Sequence, residues 1–392
     1  MKYLKKWMED LPTVDSHYCR KTSAYKDKKF LYPGTTIANL HRHYSEDAER
    51  AGMRAVSETV FSKHFHSENY SVFVPRKDQC DICVSFTHKQ ISQGDYEAHR
   101  EAKNKAQEEK AKDKATASEK RSVWTMDLQA VLLCPQTKAS AMYYKTKMHV
   151  HNFTLYNLAT KDAFCYVWTE TEGNLASESF AYLQYHHFKE YISHHPSIEE
   201  IVVWSDGCGY QNRNAVVANA YSELSRQSGV LIRQKYLCVG HTQMECDSMH
   251  SKIESKIVSD IFTPRDYILA MLGARRKPTQ YIVQQLSHDR WEKLDGMYFN
   301  SIRPGKKVGD HTVHDLKGLE YHNNGEVRYK VSFDDEWDVL PQRVQVPATP
   351  LQWVRMFEGP LPLTLRKYND LKSMQHVMPQ ECRFYYDNLP HA

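Results

Sequence analysis

Several common features are missing from this sequence of 392 residues, and each absence excludes a class of protein. No apolar run approaches the ~18 residues that a membrane-spanning helix needs. The amino terminus, MKYLKKWMEDLP, lacks the apolar core of a secretory signal. A GxSxG elbow, a GxGxxG fingerprint and a phosphate-binding loop are all absent. We therefore expect a cytosolic or nuclear protein that is neither a hydrolase with that elbow nor a nucleotide-binding protein with those loops.

A strong charge of one sign is also missing. The chain carries 52 basic and 48 acidic residues, a net charge of +4, which permits nucleic-acid binding without requiring it. Its 41% hydrophobic and 26% charged residues are typical of a globular protein, and its length suits two or three domains. The nine cysteines fit reduced thiols or metal ligands, because only Cys80 and Cys83 form a CxxC pair.

Changes of composition along the chain predict four regions. Residues 1–99 are expected to form a small helical module that zinc staples together, and residues 100–121 a charged, exposed helical linker. Residues 122–300 are rich in strand and helix patterns. Residues 301–392 contain short alternating runs and the turn signal NNG, which predict a small SH3-like or chromodomain-like β-barrel. Such a barrel either holds DNA or packs on the core as a scaffold.

The pattern after Ser122 predicts a mixed sheet. Three closely spaced β-rich segments should pair as an antiparallel meander. A helical pattern, a strand around Val202, a helix over Ala215–Ser228, a further strand and a last helix follow. The resulting order, β-β-β-α-β-α-β-α, specifies an α/β fold in which helices cover the sheet.

The segment IVVWSDGCGYQNRN, residues 201–214, is the most informative stretch. Its apolar beginning predicts a buried strand that ends at Asp206, and the two glycines after it permit a sharp turn. Sheets of α/β proteins commonly carry their chemistry at the carboxyl ends of strands. The alternative is that Asp206 only caps the helix that begins near Asn214.

Five motifs give the chain a resemblance to a known family. They are SHYCRK at residues 16–21, PRKDQCDIC at 75–83, MDLQ at 126–129, SDGCGYQNRN at 205–214 and VGHTQMECDSMHSKIE at 239–254. With these motifs the chain resembles transposase-derived proteins of eukaryotic DNA transposons, which have a ribonuclease-H-like fold and a three-carboxylate (DDE/D) catalytic core. The motifs span most of residues 10–260.

The resemblance implies a site and a function. The catalytic acids would be Asp127, Asp206 and Asp247, holding two Mg²⁺ or Mn²⁺ ions about 4 Å apart for in-line displacement at phosphorus. The expected activity is cleavage and joining of DNA strands in the nucleus, on double-stranded transposon ends and target, by more than one copy of the chain. Two alternatives remain: a domesticated, non-catalytic DNA-binding or chromatin-associated protein, and a ribonuclease-H-like nuclease.

The third acid has rivals on its own segment. Glu245 and Glu254 lie close in sequence, but Asp247 is nearer the helix start, and Glu254 should lie about 10 Å further along the helix axis. Asp247 could also be only a first-turn acid that the helix dipole stabilises. Supporting roles are predicted for nearby polar side chains, which either touch the substrate phosphate or serve local hydrogen bonds: His241, His250, Gln211 and Asn212.

The CxxC pair predicts a zinc site, because one turn offers two thiolates and tetrahedral closure needs two more nitrogen or sulfur ligands. His17 and Cys19 are the first choice beside Cys80 and Cys83. The reserves are His64, His66, His88 and His99. Unligated core cysteines and a redox pair are the alternatives. Upstream, residues 35–66 predict two helices around a turn, either a helix-turn-helix DNA reader or a simple helical hairpin.

Overall fold

The computed structural model describes residues 2–13, 29–31, 35–72, 80–341, 343 and 351–392. The chain divides into two compact units, residues 1–79 and residues 80–392. Across the described ranges we find no helix with the length and apolar character to span a membrane.

The first unit is a small helical structure with its own core. Its elements are α1 (Lys2–Glu9), β1 (Lys29–Leu31), α2 (Ile37–Arg50), α3 (Glu58–Ser67) and β2 (Tyr70–Val72), with β1 and β2 paired in parallel. The side chain of Thr36 caps α2, and Gly52 turns the chain after it with φ +67°. Tyr44 and Phe61 pack together in the core between α2 and α3, as the predicted two-helix pattern requires.

The second unit contains the remaining elements. They are α4 (Asp81–Thr87), α5 (Gln93–Ala115), β3 (Arg121–Leu128), β4 (Leu132–Cys134), β5 (Met148–Asn157), β6 (Ala163–Thr169), α6 (Ser177–His194), β7 (Glu200–Ser205), α7 (Ala215–Ser228), β8 (Leu231–Tyr236), α8 (Glu245–Lys256), α9 (Pro264–Gly273), β9 (Ile282–Gln285), β10 (Glu292–Leu294), β11 (Gly318–Tyr321), β12 (Val327–Lys330), β13 (Asp338–Val339), β14 (Trp353–Arg355), α10 (Leu365–Ser373) and α11 (Gln380–Asp387).

A ten-stranded mixed sheet organises this unit. The strand order is β13-β12-β11-β8-β7-β3-β5-β6-β9, with β4 beside β5. Strands β3, β5 and β6 form the predicted antiparallel meander, while β3, β7 and β8 run parallel. The protein is therefore a mixed α/β protein whose sheet and helix order is compatible with a ribonuclease-H-like fold.

The burial of both faces of β7 fits its place at the centre of the sheet. Ile201 and Val203 belong to the core that α6 and α7 cover, and Val202 and Trp204 belong to a second core on the other face. Successive side chains of a strand point to opposite faces, so an uninterrupted apolar run fits a strand with both faces buried.

The predicted carboxyl-terminal barrel is not confirmed. Strands β11, β12 and β13 instead extend the central sheet, because β11 pairs with β8 and brings the hairpin with it. The NNG turn is present, with Gly325 at φ +86°. Strands β10 and β14 form a separate two-stranded sheet. A strand at a sheet edge offers unpaired backbone groups, and β11 satisfies those of β8.

The segment predicted as an exposed linker is helical but not fully exposed. One face of α5 is buried, through side chains spaced three or four residues apart: Lys103, Ala106, Lys110 and Asp113. The Asp113 carboxylate accepts hydrogen bonds from Trp204 Nε1 at 2.9 Å, Lys235 Nζ at 2.9 Å and Arg121 Nη2 at 2.7 Å. Mainly polar contacts therefore hold this helix against the sheet. For this reason its composition, which has few large apolar residues, predicted a fully exposed helix.

Candidate functional site

Two aspartates lie side by side at one end of the sheet. In the parallel pair β3 and β7, Thr125 is level with Trp204. Asp127 follows Thr125 by two residues, and Asp206 follows Trp204 by two. The register therefore brings both carboxylates to the carboxyl ends of neighbouring central strands, where the sequence predicted them.

The turn after β7 holds Asp206 in place. Its Oδ1 accepts hydrogen bonds from Asn212 Nδ2 at 2.8 Å and from the backbone N–H of Cys208 at 3.2 Å. The cap of α7 is a different residue, because Asn214 Oδ1 accepts from the N–H of Val217 at 2.9 Å. Asp206 is thus not used as the helix cap.

The two amides near this turn are buried. Asn212 is fully buried and Gln211 nearly so. Gln184 Nε2 donates to the Gln211 carbonyl at 3.1 Å, and Gln234 Nε2 donates to the Asn212 carbonyl at 2.6 Å. The side-chain amides themselves donate to neighbours in the turn, Gln211 Nε2 to the Tyr210 hydroxyl at 2.8 Å and Asn212 Nδ2 to Asp206 Oδ1 at 2.8 Å, and a contact with a DNA phosphate stays a prediction.

Asp247, in the first turn of α8, both accepts a backbone hydrogen bond and lies close to Asp127. Its Oδ2 accepts a hydrogen bond from the backbone N–H of Met244 at 2.7 Å, which caps the helix. Asp247 also forms a tight group with Asp127 and His250, in which one potential ligand atom from each residue lies within 4.8 Å of the others. The residue is therefore a first-turn acid and a neighbour of Asp127 at the same time.

The two rival glutamates have other partners. Glu245 Oε2 accepts from Lys110 Nζ at 2.6 Å, and Glu254 Oε1 accepts from Gln129 Nε2 at 3.4 Å. Of the three acids on α8, Asp247 is the one in the tight group with Asp127.

His250 is linked to Asp127 through the Thr154 hydroxyl. The Thr154 hydroxyl donates to the Asp127 carbonyl at 3.0 Å, so its oxygen accepts from His250 Nε2 at 2.9 Å. The unprotonated Nδ1 is then the atom 4.0 Å from Asp127 Oδ2. Burial lowers the pKa of His250 to about 4, which keeps the imidazole neutral. His250 therefore offers a nitrogen lone pair at this site and not a positive charge.

Burial and the neighbouring acids disfavour the charged form of Asp127. Burial raises the pKa of this carboxyl to about 8, with further contributions from Asp206 and Asp247. Hard divalent cations such as Mg²⁺ and Mn²⁺ prefer carboxylate oxygens, and their charge would relieve this repulsion. The donor set therefore fits such a cation, and the three aspartates form a candidate metal site.

A second cluster contains cysteine and histidine side chains. Cys80 and Cys83 at the start of α4, His99 on α5 and His241 between β8 and α8 bring one ligand atom each within 4.8 Å of one another. Burial lowers the pKa of both histidines, favouring the neutral form that binds metals. His241, predicted beside the carboxylates, thus belongs to the other cluster.

The sequence also named other candidate zinc ligands. His17 and Cys19 lie outside the described residues. His64 and His66 belong to α3 in the first unit, and His88 caps the end of α4. The sequence carried little signal for His241, since 158 residues separate it from Cys83.

Comparisons with known proteins do not identify a family for this chain. No family model matches the chain, and no curated protein matches it. Among solved structures, the chain is similar to the chain in the crystal structure of the Mos1 mariner paired end complex with Mn, at 9% identity and a TM-score of 0.22. The match covers 58% of this chain and 65% of that chain, less than two thirds of its length.

Proposed function

We propose that this protein is a metal-dependent polynucleotidyl transferase of the DNA transposase type, which cleaves and joins phosphodiester bonds. The observation that carries the proposal is the convergence of Asp127, Asp206 and Asp247 at the carboxyl edge of the central strands. Two carboxylates at the strand ends of this mixed sheet and one at the start of α8 form a donor set suited to divalent cations and phosphate chemistry.

Each part of the proposed site has a defined task. Two Mg²⁺ or Mn²⁺ ions, when bound, would stabilise the attacking and leaving oxygens of an in-line displacement at phosphorus. Asp127 and Asp206 would hold them from the rigid sheet, and Asp247 from the start of α8. Asn212 fixes the orientation of Asp206 through its hydrogen bond. His250 lies against Asp127 and holds it through Thr154.

We further propose that the substrate is double-stranded DNA and the location nuclear. The net charge of +4 is compatible with a DNA partner. Cutting both ends of a mobile element requires a site for each end, so more than one copy of the chain should act together.

The test measures DNA cleavage by purified protein. Supercoiled plasmid should be nicked with Mg²⁺ or Mn²⁺ and left intact with chelator. Asp206→Asn should lower the rate about 10³-fold, because the charge that holds the metal is lost while the side chain keeps its shape. The matched control is Asp260→Asn, an exposed aspartate after α8, which should cut at the wild-type rate.

Two further measurements separate the alternatives. Mn²⁺ should raise the unfolding temperature of the wild-type protein but not of Asp206→Asn, since binding to the folded state stabilises it. An RNA–DNA hybrid should be cut more slowly than DNA. Preference for the hybrid would support the nuclease alternative, and wild-type nicking by Asp206→Asn would refute the proposed site.

A further inference from the structure

We propose that Cys80, Cys83, His99 and His241 form a tetrahedral zinc centre that fastens the loop between β8 and α8 to α4 and α5. This loop leads directly to Asp247, so the centre would also position the third carboxylate. That last consequence rests on the proposed function, whereas the zinc centre itself does not.

Three sulfur–nitrogen distances in the cluster match the edges of a tetrahedral zinc site. In a site with zinc–sulfur bonds of about 2.3 Å and zinc–nitrogen bonds of about 2.0 Å, neighbouring sulfur and nitrogen atoms are about 3.5 Å apart. His99 Nε2 lies 3.3 Å from Cys80 Sγ and 3.7 Å from Cys83 Sγ, and His241 Nε2 lies 3.5 Å from Cys83 Sγ. The two Nε2 atoms are 2.9 Å apart.

The chemistry of the donors selects the metal. Two thiolates and two neutral imidazoles in a tetrahedral arrangement suit Zn²⁺, and the two thiolate charges balance that of the ion. Mg²⁺ and Ca²⁺ prefer oxygen ligands, so this cluster and the aspartate cluster should take different metals.

Gly240 shows that the loop is shaped around these side chains. Its φ is +75°, a conformation that side chains other than glycine rarely adopt. A Cβ at this position would lie only 2.7 Å from Cys80 Sγ and 2.8 Å from Cys80 Cβ. The backbone therefore approaches Cys80 more closely than any other residue type would permit, and this brings the adjacent His241 to the thiols.

The loop after His241 and the apolar cluster shared with α5 both connect the zinc centre to Asp247. His241 precedes Met244 by three residues, and the Met244 N–H donates to Asp247. The side chain of Met244 is buried in the same apolar cluster as Ala106 of α5. The helix that carries His99 and Met244, the N-cap residue of α8, thus belong to one apolar cluster, and we expect movement of this loop to move Asp247.

The rival interpretation is a metal-free network of hydrogen bonds, since the same distances allow cysteine–histidine contacts. Elemental analysis of the full chain, purified under reducing conditions without chelator, distinguishes the two. We expect about one zinc ion per chain. Cys83→Ser and His241→Asn should lose the zinc, and His241→Cys should keep it because a thiolate can replace the imidazole.

The control variant is Cys238→Ser, which lies in the same loop but outside the cluster and should keep its zinc. Zinc-free wild-type protein, or full zinc content in His241→Asn, would overturn the proposal. So would loss of zinc from Cys238→Ser, since the ligand set would then be different.

Amide hydrogen exchange tests the positioning role independently of catalysis. Removal of zinc with a chelator that competes with the thiolate ligands should speed amide exchange in residues 237–247, while the amides of β3 and β7 stay protected. Unchanged exchange in that loop would refute the positioning role. A protein that holds zinc as expected but cuts no DNA would refute only the proposed function, and one that cuts DNA normally after its zinc has been removed would refute only the positioning role.

Discussion

At the scale of single residues, neighbours rather than position along α8 separate its three acids. Glu245 is paired with Lys110, Glu254 with Gln129, and Asp247 lies in a group with Asp127. The lysine neutralises Glu245, and Glu254 lies outside the group of potential ligand atoms that Asp247 forms with Asp127 and His250.

This difference predicts opposite results for two conservative substitutions. Asp247→Asn should lower DNA cleavage by about 10²-fold or more, because the charge is lost. Asparagine keeps a side-chain oxygen that can accept from the Met244 N–H, so the helix cap and the folded structure should survive. Glu254→Gln should cleave at nearly the wild-type rate. Rates of plasmid nicking measure both, and the reverse ranking would transfer the third metal ligand to Glu254.

At the scale of elements, a buried ion pair holds α5 against the sheet. The side chains of Asp113 and Lys235 are 5% and 6% exposed, and their ion pair is 2.9 Å long. Burying two charges costs desolvation energy, which is recovered only while both partners are present. The helix should therefore depend on the intact pair more than on its few apolar side chains.

We predict that Asp113→Ala lowers the free energy of unfolding by about 3 kcal/mol, because it leaves the buried Lys235 without this partner. The matched control is Glu199→Ala, which removes an ion pair with Lys120 whose two side chains are 66% and 67% exposed. That variant should cost less than about 1 kcal/mol. Chemical denaturation followed by circular dichroism measures both, and equal losses would contradict the role given to the buried pair.

At the scale of the whole molecule, buried histidines make the fold sensitive to acid. Burial lowers the pKa of His151 and of His186 to about 4 and that of His187 to about 3, from 6.5. His187 packs against Trp124 and Phe164 and shares a hydrogen bond of 2.7 Å with the Tyr166 hydroxyl. The folded protein thus keeps imidazoles neutral that the unfolded chain would protonate.

The sign of the pH effect follows from this difference. Above pH 6.5 both states are neutral and the histidines contribute no pH dependence. As pH falls from 6.5 towards 4, the unfolded chain binds more protons, so each such histidine lowers the free energy of unfolding by up to about 1.4 kcal/mol per pH unit.

His187→Phe tests the largest of these effects. It should flatten the loss of stability between pH 6.5 and 4, although the lost hydrogen bond to Tyr166 costs about 1 kcal/mol at neutral pH. The control is His194→Gln, an exposed position on the same helix, which should leave the slope unchanged. Denaturation curves across this pH range give the slopes, and identical slopes for wild type and His187→Phe would refute the argument.

The sequence by itself determined the order of strands and helices and the place of two carboxylates. Apolar runs such as residues 201–204 specify buried strands, and parallel pairing of two such strands brings the residues at their ends together. The resemblance to transposase-derived proteins implied that Asp127 and Asp206 are neighbours, and the parallel register of β3 and β7 brings them to adjacent strand ends. The glycines and amides after Asp206 likewise encoded a local turn, since turn geometry depends on adjacent residues.

Only the tertiary structure decided which distant side chains meet. His241 is 158 residues from Cys83 in sequence, and no periodicity or spacing links them. The same holds for the pairing of β11 with β8, which extends the sheet where a barrel was expected, and for the ion pairs that bury one face of α5. Local patterns reflect backbone preferences and one face of an element, whereas these contacts depend on how whole elements pack, and that is settled by the free energy of the complete fold.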